Sequence, residues 1–124
     1  MKRVTLGIVG SLVLLLLLSG TLTFAQVRSF SGEIMDETCA NMDSHDGMIK
    51  SHKDIEDARD CTLACVKSGS KFVLYDRVSK TVYELDDQQK PVQFAGEKVR
   101  VMGTVDNTTH TIRVTDIKKM SESS

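Results

Sequence analysis

Thiol, imidazole and thioether side chains are crowded into one segment of this chain. Its three cysteines are Cys39, Cys61 and Cys65, and two methionines and two histidines lie between the first two of them. Such side chains are the ligands that Cu(I) and Zn²⁺ prefer in proteins. The segment therefore predicts a site for a transition-metal ion, copper or zinc. Besides the three cysteines, its candidate ligands are Met42, His45, Met48 and His52.

The N-terminus has the three-part plan of a secretory signal peptide. Lys2 and Arg3 precede an almost wholly apolar run over 6–18, and a small, polar stretch then ends at Ala25. The run is shorter than the roughly 20 residues that a membrane-spanning helix needs. We predict a signal peptide at 1–25 and an exported, periplasmic or extracellular protein with no stable membrane span after cleavage.

Export makes a disulfide the simplest expectation for the cysteines, because thiols outside the cytosol meet oxidants. Residues i and i+4 of a helix hold their Cβ atoms about 5 to 6 Å apart, beyond the roughly 3.5 to 4.5 Å of a disulfide. A bridge between Cys61 and Cys65 is therefore disfavoured, and we expect Cys39 to pair with one of them. The chain-entropy treatment gives about 3.5 kcal/mol for either bridge, so it does not choose between them.

A third cysteine leaves one thiol that can exchange with a neighbouring disulfide. The segment from Cys61 to Cys65 nevertheless has one residue too many for the CxxC loop of thiol oxidoreductases. The sequence contains neither a recognisable Ser-His-acid signature nor a glycine-rich phosphate loop. We expect a binding module that is not an enzyme. The alternatives are a thiol-disulfide protein acting on exported partners and a purely structural interaction module.

Length and charge limit the domain organisation and the partners. Of the 124 residues, 99 follow the predicted signal peptide, which is enough for one domain at 26–120 and a polar tail at 121–124. These 99 residues carry 14 basic and 17 acidic side chains. Such a balance argues against a surface that neutralises phosphates, so we expect no nucleic-acid ligand. A monomer that binds a small ligand or a protein is the expectation.

The elements that must position the cysteines follow from hydrophobic patterning. A helix is predicted from near Ser51, a possible cap, to Lys67 before Gly69. One or two helical turns are predicted at Pro91–Ala95. The five predicted strands are Ser29–Met35, Phe72–Asp76, Thr81–Leu85, Lys98–Val105 and Thr111–Ile117.

This order predicts a mainly β fold, a small five-stranded OB-like barrel. A helix-containing insertion joins its first two strands, and a short helix precedes its fourth. In barrels of this kind the first connecting loop commonly lines the ligand site. The segment with the cysteines, histidines and methionines is that connection.

Several motifs resemble those of a family of small exported bacterial proteins of unknown function. They are Ser31-Gly-Glu-Ile-Met-Asp36, Cys61-x-x-x-Cys65-Val-Lys, Val82-Tyr-Glu-Leu-Asp86, Phe94-Ala-Gly-Glu-Lys-Val-Arg-Val101 and Thr111-Ile-Arg-Val. The resemblance implies an OB-like barrel with a cysteine and a histidine in its first loop. By resemblance, Cys39, His45, Cys61 and Cys65 occupy the distinctive positions, although His45 lies farther from Cys39 than in the family. The resemblance implies no activity.

Overall fold

The computed structural model describes residue 20 and residues 25–121. Nearly all of the predicted signal peptide and the last residues of the tail therefore lie outside the described residues. The elements are β1 (Arg28–Asp36), α1 (Glu37–Asn41), α2 (Asp46–Ser51), α3 (Ala58–Lys67), β2 (Phe72–Asp76), β3 (Thr81–Leu85), a 3₁₀ helix (Lys90–Phe94), β4 (Lys98–Asp106) and β5 (Thr111–Lys119).

The five strands form a closed, barrel-like ring in the order β1-β2-β3-β5-β4. Neighbouring strands are antiparallel except β3 and β5, which run parallel. The predicted mainly β fold is confirmed, with its helical insertion between the first two strands and its short helix before the fourth. The strands β2 and β3 have the predicted bounds, and the other three extend one or two residues further.

β1 is shared between two partners, since its first half pairs with β4 and its last residues pair with β2. Gly32 lies where the strand passes closest to β2. A Cβ atom there would stand only 2.5 Å from the backbone carbonyl oxygen of Tyr75. The close approach of the two backbones therefore requires glycine at this position.

Apolar side chains form two packed layers, one inside the ring and one between the ring and the insertion. Ile34 and Leu74 belong to the inner layer, while their neighbours Met35 and Val73 point outward into the second layer. Because alternate residues of a strand face opposite sides, β2 is buried on both faces. The three cysteines belong to the second layer, under the helical insertion.

The single helix predicted from Ser51 to Lys67 is wrong in its first turns. Ser51 ends α2, where its hydroxyl donates to the Gly47 carbonyl at 2.7 Å. α3 starts only after Asp57, whose carboxylate accepts a hydrogen bond from the Asp60 backbone N–H at 2.8 Å. The predicted end at Lys67 is confirmed. After Ser51, only the last ten residues of the predicted helix are therefore helical, and the separate helix α2 ends at Ser51.

Candidate metal centre

Four donor side chains meet under the insertion, and we call them the Asp36 cluster. Its members are Asp36, Cys39, Cys61 and Cys65, each offering one ligand atom within 4.8 Å of all the others. The Cys39 and Cys61 Sγ atoms are 3.3 Å apart. Three of the side chains are fully buried, whereas Cys65 is 9% exposed. The cluster thus lies at the inner surface of the insertion, with Cys65 nearest to solvent.

The junction of β1 and α1 positions the first two members. Asp36 ends β1 and is the N-cap of α1, where its Oδ2 accepts a hydrogen bond from the Cys39 backbone N–H at 3.0 Å. Such a cap satisfies one of the donors that the first helical turn leaves unpaired. The cap therefore fixes the first turn of α1, which carries Cys39.

α3 positions the other two members. Cys61 and Cys65 are four residues apart in this helix, so their side chains lie on one face, one turn apart. The same face buries Thr62, whose hydroxyl donates to the Ala58 carbonyl at 2.8 Å. α3 packs on β1 through this face. The two thiols are thereby directed toward the end of β1, where Asp36 lies.

The second carboxylate oxygen of Asp36 is the unusual feature of the cluster. Asp36 is 0% exposed, and its Oδ1 has no hydrogen-bond partner among the described residues. Buried polar atoms in proteins are nearly always paired, and leaving one unpaired costs about 1 to 3 kcal/mol. A buried carboxylate with one unpaired oxygen, grouped with three thiols, could hold a proton or a metal ion.

Burial raises the pKa of all three thiols. For Cys65 burial raises the pKa to about 11, with the negative charge of Asp36 as the next cause. For Cys39 the hydrogen bond with Cys61 and the Asp36 charge add to the effect of burial. The thiols are therefore protonated at neutral pH and are weak nucleophiles in this state. A metal ion would have to displace their protons.

The spacing of the donors is compatible with tetrahedral coordination. Zn–S bonds of about 2.3 Å place the sulfurs of a tetrahedral site about 3.8 Å apart. The Cys39 and Cys61 Sγ atoms are 3.3 Å apart, which is slightly closer than that. The ligand atoms of the whole cluster lie within 4.8 Å of one another, a limit slightly above that value. Small side-chain movements would therefore suffice to bring all four donors to one ion.

The predicted disulfide is not present. All three cysteines are free, and the 3.3 Å between the Cys39 and Cys61 Sγ atoms exceeds the roughly 2.05 Å of a disulfide bond. Cys39 does lie next to the α3 cysteines, as the prediction of a bridge required. The difference is one of distance, because the Cys39 and Cys61 side chains are in contact without the shorter separation that a covalent bond requires.

The other predicted ligands are not among the four members of the Asp36 cluster. His45 is buried, its Nε2 is 3.6 Å from Glu33 Oε1, and neither ring nitrogen has a hydrogen-bond partner among the described residues. Met42 is 53% exposed, whereas Met48 packs against the second apolar layer. His52 is exposed and pairs with the Ser51 hydroxyl. Neither histidine belongs to the Asp36 cluster.

Asp36 is the member that the sequence pattern did not reveal. A carboxylate at the end of a strand has the ordinary interpretation of a turn or capping residue, and Asp36 is indeed a cap. Its spacing of three residues before Cys39 is the available signal. With this spacing, a capping Asp36 and Cys39, the third residue of the helix, lie together at the N-terminal end of the helix.

A second polar group fastens the loop between α1 and α2 to the sheet. Asp43, at φ +60°, accepts hydrogen bonds from the Tyr75 hydroxyl and from Lys80 Nζ, the latter at 2.7 Å. The hydrogen bond from Lys80 and then that from Tyr75 lower the pKa of the Asp43 carboxyl. The insertion is thus held at its loop by ion pairs and at its helices by apolar packing.

No protein-family model matches this chain, and the searches of curated proteins and of solved structures also find no match. The resemblance to a family of small exported proteins therefore stays a prediction. Among the described residues, no helix is both long and apolar enough to cross a membrane.

Proposed function

We propose that this protein is an exported binding module that holds one thiophilic transition-metal ion at the Asp36 cluster. The ligands are Asp36 and the three cysteines. Zn²⁺ is the first candidate, because it accepts both thiolate and carboxylate ligands in tetrahedral sites. Cu(I) is softer and would use the thiolates without the carboxylate.

The observation that carries the proposal is the buried Asp36 carboxylate, which offers an oxygen within 4.8 Å of three sulfurs and whose Oδ1 has no hydrogen-bond partner among the described residues. A disulfide between two of the cysteines would leave this oxygen unexplained. A cation bound to it and to the sulfurs satisfies all four side chains at once. It also balances the negative charge that a buried carboxylate would otherwise carry alone.

The ion would join three parts of the chain, which are the end of β1, the start of α1 and the inner face of α3. In this role its binding free energy stabilises the folded insertion. Binding releases protons from the thiols, so affinity rises with pH until the thiols titrate. The site is therefore expected to bind metal with a strong dependence on pH.

Titration of the reduced, metal-free protein with Co²⁺, a spectroscopic substitute for Zn²⁺, tests the proposal. The expected result is thiolate-to-cobalt charge-transfer absorption that saturates at one equivalent and is lost when Zn²⁺ is added. Cys61→Ser should greatly weaken this absorption. Met42→Leu is the matched control, because it changes an exposed sulfur outside the cluster. Absence of Co²⁺ and Zn²⁺ binding by the folded parent protein would refute the proposal.

A second candidate function is thiol-disulfide exchange, favoured by the 3.3 Å between the Cys39 and Cys61 sulfurs. A low-molecular-weight disulfide would oxidise this pair. The two thiols would lose two protons and two electrons as their S–S bond forms, and the small disulfide would be reduced to two thiols. The raised pKa values disfavour the thiolate that starts this reaction. The protein is incubated with the small disulfide, then alkylated and analysed by mass spectrometry. Thiol-disulfide exchange predicts that two alkylatable thiols are rapidly lost, which distinguishes it from the metal site.

A further inference from the structure

One cleft on the surface reaches the Asp36 cluster from outside. It has a volume of about 750 Å³ and lies between the start of α1, the end of α2 and α3. Cys65 belongs both to the lining of this cleft and to the cluster. The other cysteines, which are 0% exposed, do not line it. Cys65 is therefore the cysteine of the cluster that borders the cleft.

The lining of the cleft is suited to cations. It includes the carboxylates of Glu37, Asp54 and Asp60, and within the described part of the chain no lysine or arginine lines it. Neither Glu37 nor Asp54 takes part in an ion pair with another described residue. Unpaired like charges around a concave surface raise the local concentration of cations and their association rate.

Two soft side chains also line the cleft, His52 and Met48. Both were predicted from the sequence as metal ligands, and both lie outside the Asp36 cluster. In the cleft they can still contact a metal ion, since imidazole and thioether groups bind the same ions as the cluster does. They offer two donor atoms, whereas the cluster offers four. The acids, the soft donors and Cys65 thus line one cleft, and Cys65 is also a member of the Asp36 cluster.

We infer that this cleft is the route by which a hydrated divalent transition-metal ion reaches the Asp36 cluster, with Cys65 as the first thiol that it meets. The inference rests on the proposed function. It adds that the ion enters a chain that has already folded and can leave it again. The site is then one for exchangeable metal, in contrast to a sealed structural site.

Stopped-flow absorbance with Co²⁺ alone tests the route through the association rate. The double variant Glu37→Gln/Asp54→Asn removes two charges from the cleft, and Glu84→Gln/Asp116→Asn removes two charges elsewhere on the surface. We expect association to slow by about fivefold or more in the first variant at low ionic strength. The difference should shrink near 1 M salt, where screening is strong. The control variant should match the parent protein.

Equal association rates in the two double variants, with one Co²⁺ still bound per chain, would overturn the route and leave the proposed metal site standing. Failure of the parent protein to bind Co²⁺ would overturn both. A measurement on the metal-free protein adds an independent check. N-ethylmaleimide should label Cys65 before Cys39 and Cys61, as read from peptide masses, and equal or faster labelling of Cys39 would contradict the route.

Discussion

Asp36 uses its two carboxylate oxygens differently, and this difference can be tested by one substitution. Oδ2 caps α1 through the Cys39 backbone N–H, whereas Oδ1 has no partner among the described residues. Asparagine caps helices about as well as aspartate. Asp36→Asn should therefore keep the cap and remove the charge that the metal ion needs.

We expect Asp36→Asn to lower the affinity for Zn²⁺ by at least about tenfold. The stability of the metal-free protein should stay the same or rise, because an unpartnered buried carboxylate is removed. Competition with a chromophoric chelator measures the affinity, and urea unfolding measures the stability. Unchanged affinity together with a large loss of stability would mean that Asp36 serves only the fold.

The raised pKa values of the thiols predict how the metal-free protein responds to alkali. A thiol with a higher pKa in the folded protein than in the unfolded chain keeps its proton more firmly when folded. Its contribution to stability is therefore complete below the unfolded value and is lost as pH rises through the folded value. For Cys65 this window runs from the ordinary 9.0 to about 11.

Between pH 9 and 11 the metal-free protein should thus lose roughly 3 kcal/mol of its free energy of unfolding through Cys65 alone. The zinc-loaded protein should not show this loss, because its folded state holds the thiolates without protons at pH 9 and at pH 11 alike. Denaturant unfolding at a series of pH values measures both curves. Parallel curves for the two forms would contradict the assignment of the cysteines as ligands.

At the scale of elements, the cluster links α1 and α3 to the end of β1 and leaves β4 and β5 untouched. Removal of the metal should therefore loosen the insertion and spare the barrel-like ring. Amide hydrogen exchange should accelerate in Glu37–Asn41 and Ala58–Lys67 after chelation and stay constant in Lys98–Asp106. Uniform acceleration along the described chain would show that the ion stabilises the whole molecule.

The contact between β1 and β2 supplies a second prediction, which does not involve metal. Gly32→Ala would place a Cβ atom 2.5 Å from the Tyr75 carbonyl oxygen, so the strands must separate. We expect a loss of about 1 to 3 kcal/mol in the free energy of unfolding. Gly47→Ala is the control, because its Cβ atom would meet nothing within 4 Å and alanine favours the helix. A stable Gly32→Ala variant would contradict the described register.

The sequence predicted these elements unequally. β2 and β3 were found from short apolar runs between turn residues, which are local signals. The start of α3 was misjudged because two capping patterns compete, one at Ser51 and Asp54 and one at Asp57 and Asp60. The second pattern is the one that forms, with Asp57 as the cap of α3, while Ile55 is buried in the segment before the helix.

For the whole molecule, the order of strands was predictable and the composition of the site only partly so. Three cysteines in the first connection indicated where the candidate ligands meet, because that connection must fold back on β1 and β2. The sequence predicted His45 as a ligand, whereas the cluster contains Asp36. This difference was not predictable, since it depends on which side chain at the end of β1 points toward α3. His45 instead packs near Glu33.

The exported character of the molecule, which we propose from its leader, makes the cluster a place where metal binding competes with oxidation. A chain loaded with zinc before oxidation should keep its thiolates as ligands. The proposed site then consists of three sulfur ligands and one oxygen ligand around a single ion.

X-ray absorption at the zinc edge of the zinc-loaded protein measures these ligands. We expect three sulfur ligands at about 2.3 Å and one oxygen at about 2.0 to 2.2 Å, with one zinc per chain. In Asp36→Asn the shell of three sulfurs should remain while the fourth ligand changes. A shell made only of nitrogen and oxygen, or one with a single sulfur, would contradict the proposed site.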